Sequence, residues 1–76
     1  MVLAYVMVKA LTGDADRLKQ DIEAIEGVVD VHIVAGDVDL IAKVEVQSPQ
    51  DVKEIAAEGI RAIEGIESTQ TYIAMD

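Results

Sequence analysis

Cysteine, tryptophan and phenylalanine are absent from this 76-residue chain, and proline and histidine occur once each, as Pro49 and His32. Without cysteine there is no disulfide framework of the kind that staples small secreted domains, and no thiolate nucleophile or metal ligand. One histidine is a poor start for a structural metal site, which is built from several cysteines and histidines. Aromatic residues make up only 3% of the chain, so any core is aliphatic. No apolar run approaches the roughly 20 residues of a membrane-spanning helix, because Arg, Lys, Asp or Glu interrupts every stretch. The start, Met1-Val2-Leu3-Ala4-Tyr5, lacks the basic segment of a signal peptide. A cytoplasmic protein is expected.

What is present is 51% hydrophobic and 28% charged, the composition of a folded globular domain rather than a disordered or collagen-like chain. The length suits one domain, residues 1–76. A core of this size rarely supplies more than about 3–5 kcal/mol, and small domains compensate with disulfides, metals or oligomerisation. With the first two unsupported by composition, oligomerisation is the remaining candidate. Fifteen acidic residues against six basic ones give a net charge of −9. Such a surface repels phosphate backbones and anionic bilayers, so direct nucleic-acid binding and membrane binding are not expected. The acidity suits a high-salt cytoplasm, where screening tolerates it, and equally an ordinary acidic small protein.

Hydropathy patterning predicts six elements. Residues 2–9 are apolar at both parities, Val2, Ala4, Val6 and Val8 against Leu3, Tyr5 and Met7, as in a central strand; the run ends at Thr12-Gly13-Asp14. Asp14 is placed to cap a helix in which Ala15, Leu18, Ile22 and Ile25 recur at spacings of three and four, with Gly27 as its stop. Residues 28–34 alternate as a half-exposed strand, with Val29, Val31 and Ile33 against Asp30 and His32. Gly36-Asp37 reads as a tight reversal. It leads into a strand over 38–46, where Val38, Leu40, Ala42, Val44 and Val46 share a face. Ser48-Pro49-Gln50-Asp51 is a helix start with a hydroxyl cap and proline in the first turn. Val52, Ile55, Ala56, Gly59, Ile60 and Ile63 form its apolar stripe, and Gly65 ends it; close packing on the sheet is the expected reason for Gly59. Residues 66–75 form the last strand, with Thr69, Thr71, Ile73 and Met75 alternating against Ser68, Gln70, Tyr72 and Ala74. Both helices end in Ile-Glu-Gly followed by a branched residue.

The order β-α-β-β-α-β, with right-handed crossovers in both halves, gives a ferredoxin-like α+β fold with an antiparallel sheet in the order 4-1-3-2. Two helices cover one sheet face only. The other face then carries Leu3, Tyr5, Met7 and Ile41 beside Lys43 and Glu45, which is too apolar for a solvated surface. Burying several hundred Å² of it at roughly 25 cal/mol per Å² contributes several kcal/mol, so this face is the expected subunit interface, sheet to sheet.

Few residues offer chemistry. His32 beside Asp30 could serve as a general base, though a partly exposed strand or interface histidine accounts for it as well. Asp37 and Asp39 could recognise an ammonium group or hold a cation, and they are also ordinary turn residues. Thr69, Gln70 and Thr71 are good strand formers, and the hydroxyls of Ser68 and Thr69 could bind a carboxylate. No nucleophile–base pair, glycine-rich phosphate loop or cofactor motif is present. No catalytic residue, metal or cofactor is assigned.

Four segments together resemble a known family. They are Ala4-Tyr5-Val6-Met7-Val8; Glu26-Gly27-Val28-Val29-Asp30-Val31; Val34 through the hairpin residues Ala35-Gly36-Asp37-Val38-Asp39-Leu40-Ile41-Ala42-Lys43-Val44; and Gly65-Ile66-Glu67-Ser68-Thr69-Gln70-Thr71-Tyr72-Ile73. The chain resembles the effector-binding RAM domain of the Lrp/AsnC feast/famine regulators in its stand-alone form, over essentially its whole length. Val38 departs from the aromatic common in the family at that position. The resemblance implies a dimeric α+β barrel arrangement joined through the sheets, then an octameric or decameric ring of dimers. It also implies an amino-acid effector bound between dimers near the hairpin. Gly36, Asp37, Val38 and Asp39 would line that site, with Thr69, Gln70 and Thr71. The family's helix-turn-helix domain has no counterpart in these residues. The implied role is transcription regulation or metabolic control without direct DNA contact, through mixed assembly with full-length relatives or another partner. Two alternatives remain. One is a small cofactor-free dimeric α+β barrel enzyme, monooxygenase-like, with a cavity on the open sheet face that uses His32, Tyr5 and Tyr72. The other is an ACT domain, an amino-acid binder of the same strand order.

Overall fold

The computed structural model describes residues 1–11 and 13–75; Thr12, where the first apolar run was expected to end, lies outside them, as does Asp76. The chain runs β1 (Val2–Ala10), α1 (Ala15–Glu23), β2 (Val28–Ile33), β3 (Leu40–Val46), α2 (Pro49–Lys53) and β4 (Ile66–Ile73), with a π-helix, Glu54–Ile60, continuing directly from α2. The sheet order is β2-β3-β1-β4 with antiparallel neighbours, which is the expected 4-1-3-2 read from the opposite edge. The architecture is the ferredoxin-like α+β sandwich.

The alternation decides which way each strand faces. Ala4, Val6 and Val8 of β1 and Leu40, Ala42 and Val44 of β3 are fully buried beneath the helices. They meet Leu18 and Ile22 of α1, Val52 of α2, and Ile55, Ala56 and Ile60 of the π-helix in one core. The other parity, Leu3, Tyr5 and Met7, lies opposite Glu45, Lys43 and Ile41 on the uncovered face.

Local chemistry departs from expectation at four places. Asp14 stands at the N-cap of α1 but makes no side-chain cap bond; its Oδ2 accepts from Arg17 Nε at 3.1 Å instead. The cap of α2 is as expected, Ser48 Oγ accepting from the Asp51 N–H at 3.4 Å with Pro49 next in the chain. Beyond Lys53 that helix widens, and Arg61 N–H donates to the Ala56 carbonyl at 3.3 Å, a five-residue step rather than four. Gly59 sits within this stretch, and a Cβ there would meet Ile25 Cδ1 at 3.4 Å. Its close neighbour is therefore the turn after α1, not the sheet.

The two Ile-Glu-Gly turns are built alike. Ile25 N–H donates to Ile22 O and Val28 N–H to Ile25 O; Ile63 N–H donates to Ile60 O and Ile66 N–H to Ile63 O. Gly27 and Gly65 take φ values of 101° and 103°, conformations that L side chains rarely adopt. Arg17 links the halves by donating from Nη2 to the Glu64 carbonyl at 2.9 Å.

The β2–β3 connection is the fourth departure. It spans residues 34–39 rather than a tight Gly36-Asp37 turn, and β3 starts at Leu40 rather than at position 38. Gly36 has no positive φ, so no two-residue turn of the left-handed type forms there.

Candidate functional site

Loop 34–39 is shaped by Asp39. Its N–H donates to the Val8 carbonyl at 2.9 Å and its carbonyl accepts from Val34 N–H at 2.9 Å. Its carboxylate Oδ2 accepts from Ala10 N–H at 2.8 Å. That last bond satisfies a backbone donor where the β1–β4 register shifts between Lys9 and Ala10. Asp39 thus spends one carboxylate oxygen on the fold. Gly36 and Asp37 are exposed at the tip, Val38 and Asp39 half-buried beneath them. A Cβ on Gly36 would meet nothing within 4 Å, so the fold itself does not require glycine there.

The β4 residues do not join this loop within one chain. Thr69 and Thr71 lie opposite Val8 and Val6, on the helix side of the sheet, whereas Gln70 lies opposite Met7 on the uncovered side. Asp39 holds β1 along the β3 edge, and Thr69 flanks β1 along the other. The alternation in the sequence already separates the two threonines from Gln70.

On the uncovered face, Tyr5 lies opposite Tyr72 across one ladder, and Met7 opposite Ile41 across the other. Tyr5 is 37% exposed and Tyr72 51%. His32 and Asp30 share this face, opposite Ile41 and Lys43, with His32 Nε2 3.0 Å from Asp30 Oδ2.

Two grooves flank α2. One, of about 510 Å³, is lined by Glu26, Glu45, Asp51 and Glu54 around Gly27 and Ile55. Among the described residues no group of three or more His, Asp or Glu is arranged to hold a metal ion. The other, of about 320 Å³, lies between α2 and β4; Lys53, Arg61, Thr69 and Thr71 stand around apolar walls of Pro49, Val52, Ala56, Ala57 and Ile73. Neither is lined by His32, Tyr5 or Tyr72. Sequence reasoning passed over Lys53 and Arg61, whose spacing along one helix of an acidic chain was the available signal. Two basic residues of α1 are paired locally: Arg17 is pushed further up by its hydrogen bond to Asp14 and by the neighbouring charge of Asp21, and Lys19 bonds Glu23 at 2.6 Å.

An exposed carboxylate on a loop tied to the sheet, a groove beside a widened helix and an open apolar sheet face mark a small α+β module of the ferredoxin-like class. The ligand-binding domain model of the Lrp/AsnC regulators matches residues 3–76. An HTH-type transcriptional regulator of Pyrococcus abyssi is 35% identical over 79% of this chain, which spans 40% of that regulator's length. The homocitrate synthase of Sulfurisphaera tokodaii is 37% identical over 71% of this chain, which corresponds to 12% of that enzyme. The crystal structure of TTHA0845 from Thermus thermophilus superposes with a TM-score of 0.94 at 28% identity, covering all of this chain and 95% of the other. The chain belongs to the Lrp/AsnC ligand-binding domain family. Among the described residues, no helix is long and apolar enough to cross a membrane.

Proposed function

We propose that residues 1–76 form a single RAM-like domain that senses an amino acid and self-assembles, in the cytoplasm, without catalysing a reaction or contacting DNA. The observation that carries this reading is the uncovered sheet face. Leu3, Tyr5, Met7, Ile41 and Tyr72 gather there, while Lys9 and Lys43 balance Asp30 and Glu45. Two copies of a −9 chain repel, so a stable contact forms best where the local charge cancels. Facing sheets give a dimer of the α+β barrel type, and dimers then close into an octameric or decameric ring.

The effector occupies the space between dimers at loop 34–39. Asp37 accepts from its ammonium group, and the backbone at Gly36, unobstructed by a Cβ, lets the ligand approach closely. Val38 and Asp39 support the loop from below. Thr69, Gln70 and Thr71 reach this site only from a neighbouring chain, so ligand binding and assembly are coupled. A similar segment lies within a homocitrate synthase as well as within an HTH-type transcriptional regulator. A module shared by such different proteins is suited to sensing, and mixed assembly with full-length Lrp/AsnC relatives is one way to pass the signal on.

A thermal-shift screen against the standard amino acids tests this, because a ligand that prefers the folded form raises stability by mass action. At least one amino acid raises the midpoint of the wild type, and Asp37→Asn abolishes that rise while leaving the unliganded midpoint unchanged. An equal rise in Asp37→Asn removes the loop from the site.

A further inference from the structure

Three strands present only aliphatic side chains to the helices: Ala4, Val6 and Val8, then Val31, then Leu40, Ala42 and Val44, all buried. The edge strand β4 breaks this layer by turning Thr69 and Thr71 to the helix side. Among the described residues neither hydroxyl has a hydrogen-bond partner. The gap between this stretch of β4 and α2 is the groove of about 320 Å³, near the small end of ligand pockets. Lys53 and Arg61 stand in its lining, which contains no Asp or Glu. Neither cation forms an ion pair among the described residues. In a chain of net charge −9, this groove reverses the sign of the surface.

We propose that the groove binds a short-chain aliphatic carboxylate that carries no ammonium group. Lys53 and Arg61 meet the carboxylate, Thr69 and Thr71 donate hydroxyl hydrogen bonds to it, and the hydrocarbon tail lies along Val52 and Ala56. An ammonium group finds no carboxylate in this lining and sits beside two positive charges, so an amino acid is disfavoured here. The site is complete within one chain. It shares Thr69 and Thr71 with the amino-acid reading and is otherwise independent of it, since that reading turns on Asp37.

The test is a titration of the ¹⁵N-labelled chain with 4-methylpentanoate, L-leucine and isoamylamine, followed by amide chemical shifts. 4-Methylpentanoate moves the amides of Lys53, Arg61, Thr69 and Thr71, L-leucine moves them several-fold more weakly, and isoamylamine moves none. Lys53→Gln combined with Arg61→Gln weakens 4-methylpentanoate by about tenfold, exposed ion pairs contributing about two- to fivefold each. Thr71→Val weakens it further, and added salt weakens it in the wild type but not in the double variant. Unchanged affinity in the double variant, shifts confined to residues 34–39, or equal response to the amine overturns the proposal. Asp37→Asn separates the two readings: it leaves the 4-methylpentanoate response intact. Stabilisation of the wild type by an amino acid, with no response to 4-methylpentanoate, overturns the groove alone.

Discussion

The described glycines differ so sharply in surroundings that replacing each with alanine separates backbone strain from packing. Gly27 combines a φ of +101° with a Cβ position 2.6 Å from Ile55 Cδ1 and 3.0 Å from Val46 Cγ1. The left-handed conformation costs a non-glycine residue about 1–2 kcal/mol. Forcing a methyl into an occupied core costs about 1–3 kcal/mol more, and the flexible end of Ile55 keeps this near the lower bound. Gly27→Ala therefore loses about 2–3 kcal/mol, a large share of the roughly 3–5 kcal/mol available to a core this small. Gly65→Ala, at φ +103°, loses at least the strain contribution. Gly36→Ala has neither positive φ nor any atom within 4 Å, and it gains about 0.4–1 kcal/mol by restricting the unfolded chain. Urea unfolding at one fixed protein concentration measures the series, because the proposed assembly would make stability concentration-dependent. A Gly27→Ala chain within about 0.5 kcal/mol of wild type, the range of ordinary surface changes, refutes the reasoning.

Two further substitutions read the local supports. Asp39→Ala leaves the Ala10 N–H without its acceptor and costs about 1–3 kcal/mol, whereas Asp39→Asn, which keeps an acceptor oxygen, costs less; the separation between their urea midpoints checks this. Ser48→Ala removes the cap of α2 and, because that bond is long at 3.4 Å, lowers stability by only about 0.5 kcal/mol in the same assay.

What could be read from the sequence is what depends on period and on neighbours in the chain. The two-residue alternation of β3 identified its buried parity, because a one-residue slip would bury Lys43 and Glu45; β1, apolar at both parities, takes its facing from its register against β3. Ser48-Pro49 marked a helix start because both act on the first turn alone. What escaped depends on contacts between distant segments. The length of loop 34–39 follows from Asp39 reaching Ala10 on another strand. The widened helix accompanies the approach of Gly59 to Ile25. Lys53 and Arg61 drew no assignment from the sequence, because only the gap against β4 places them beside two threonines. The proposed effector site leans on family resemblance, since the residues assigned to it lie on both faces of the sheet and on either side of β1.

The claim on which the assembly and the coupled effector site both rest is that the uncovered sheet face meets a second copy. Mass determination by light scattering on a sizing column, at micromolar concentration, addresses it directly. The wild type elutes at the mass of a dimer or a larger ring, and the chain carrying Tyr5→Asp and Ile41→Asp elutes as a folded monomer. A monodisperse wild-type monomer contradicts the account.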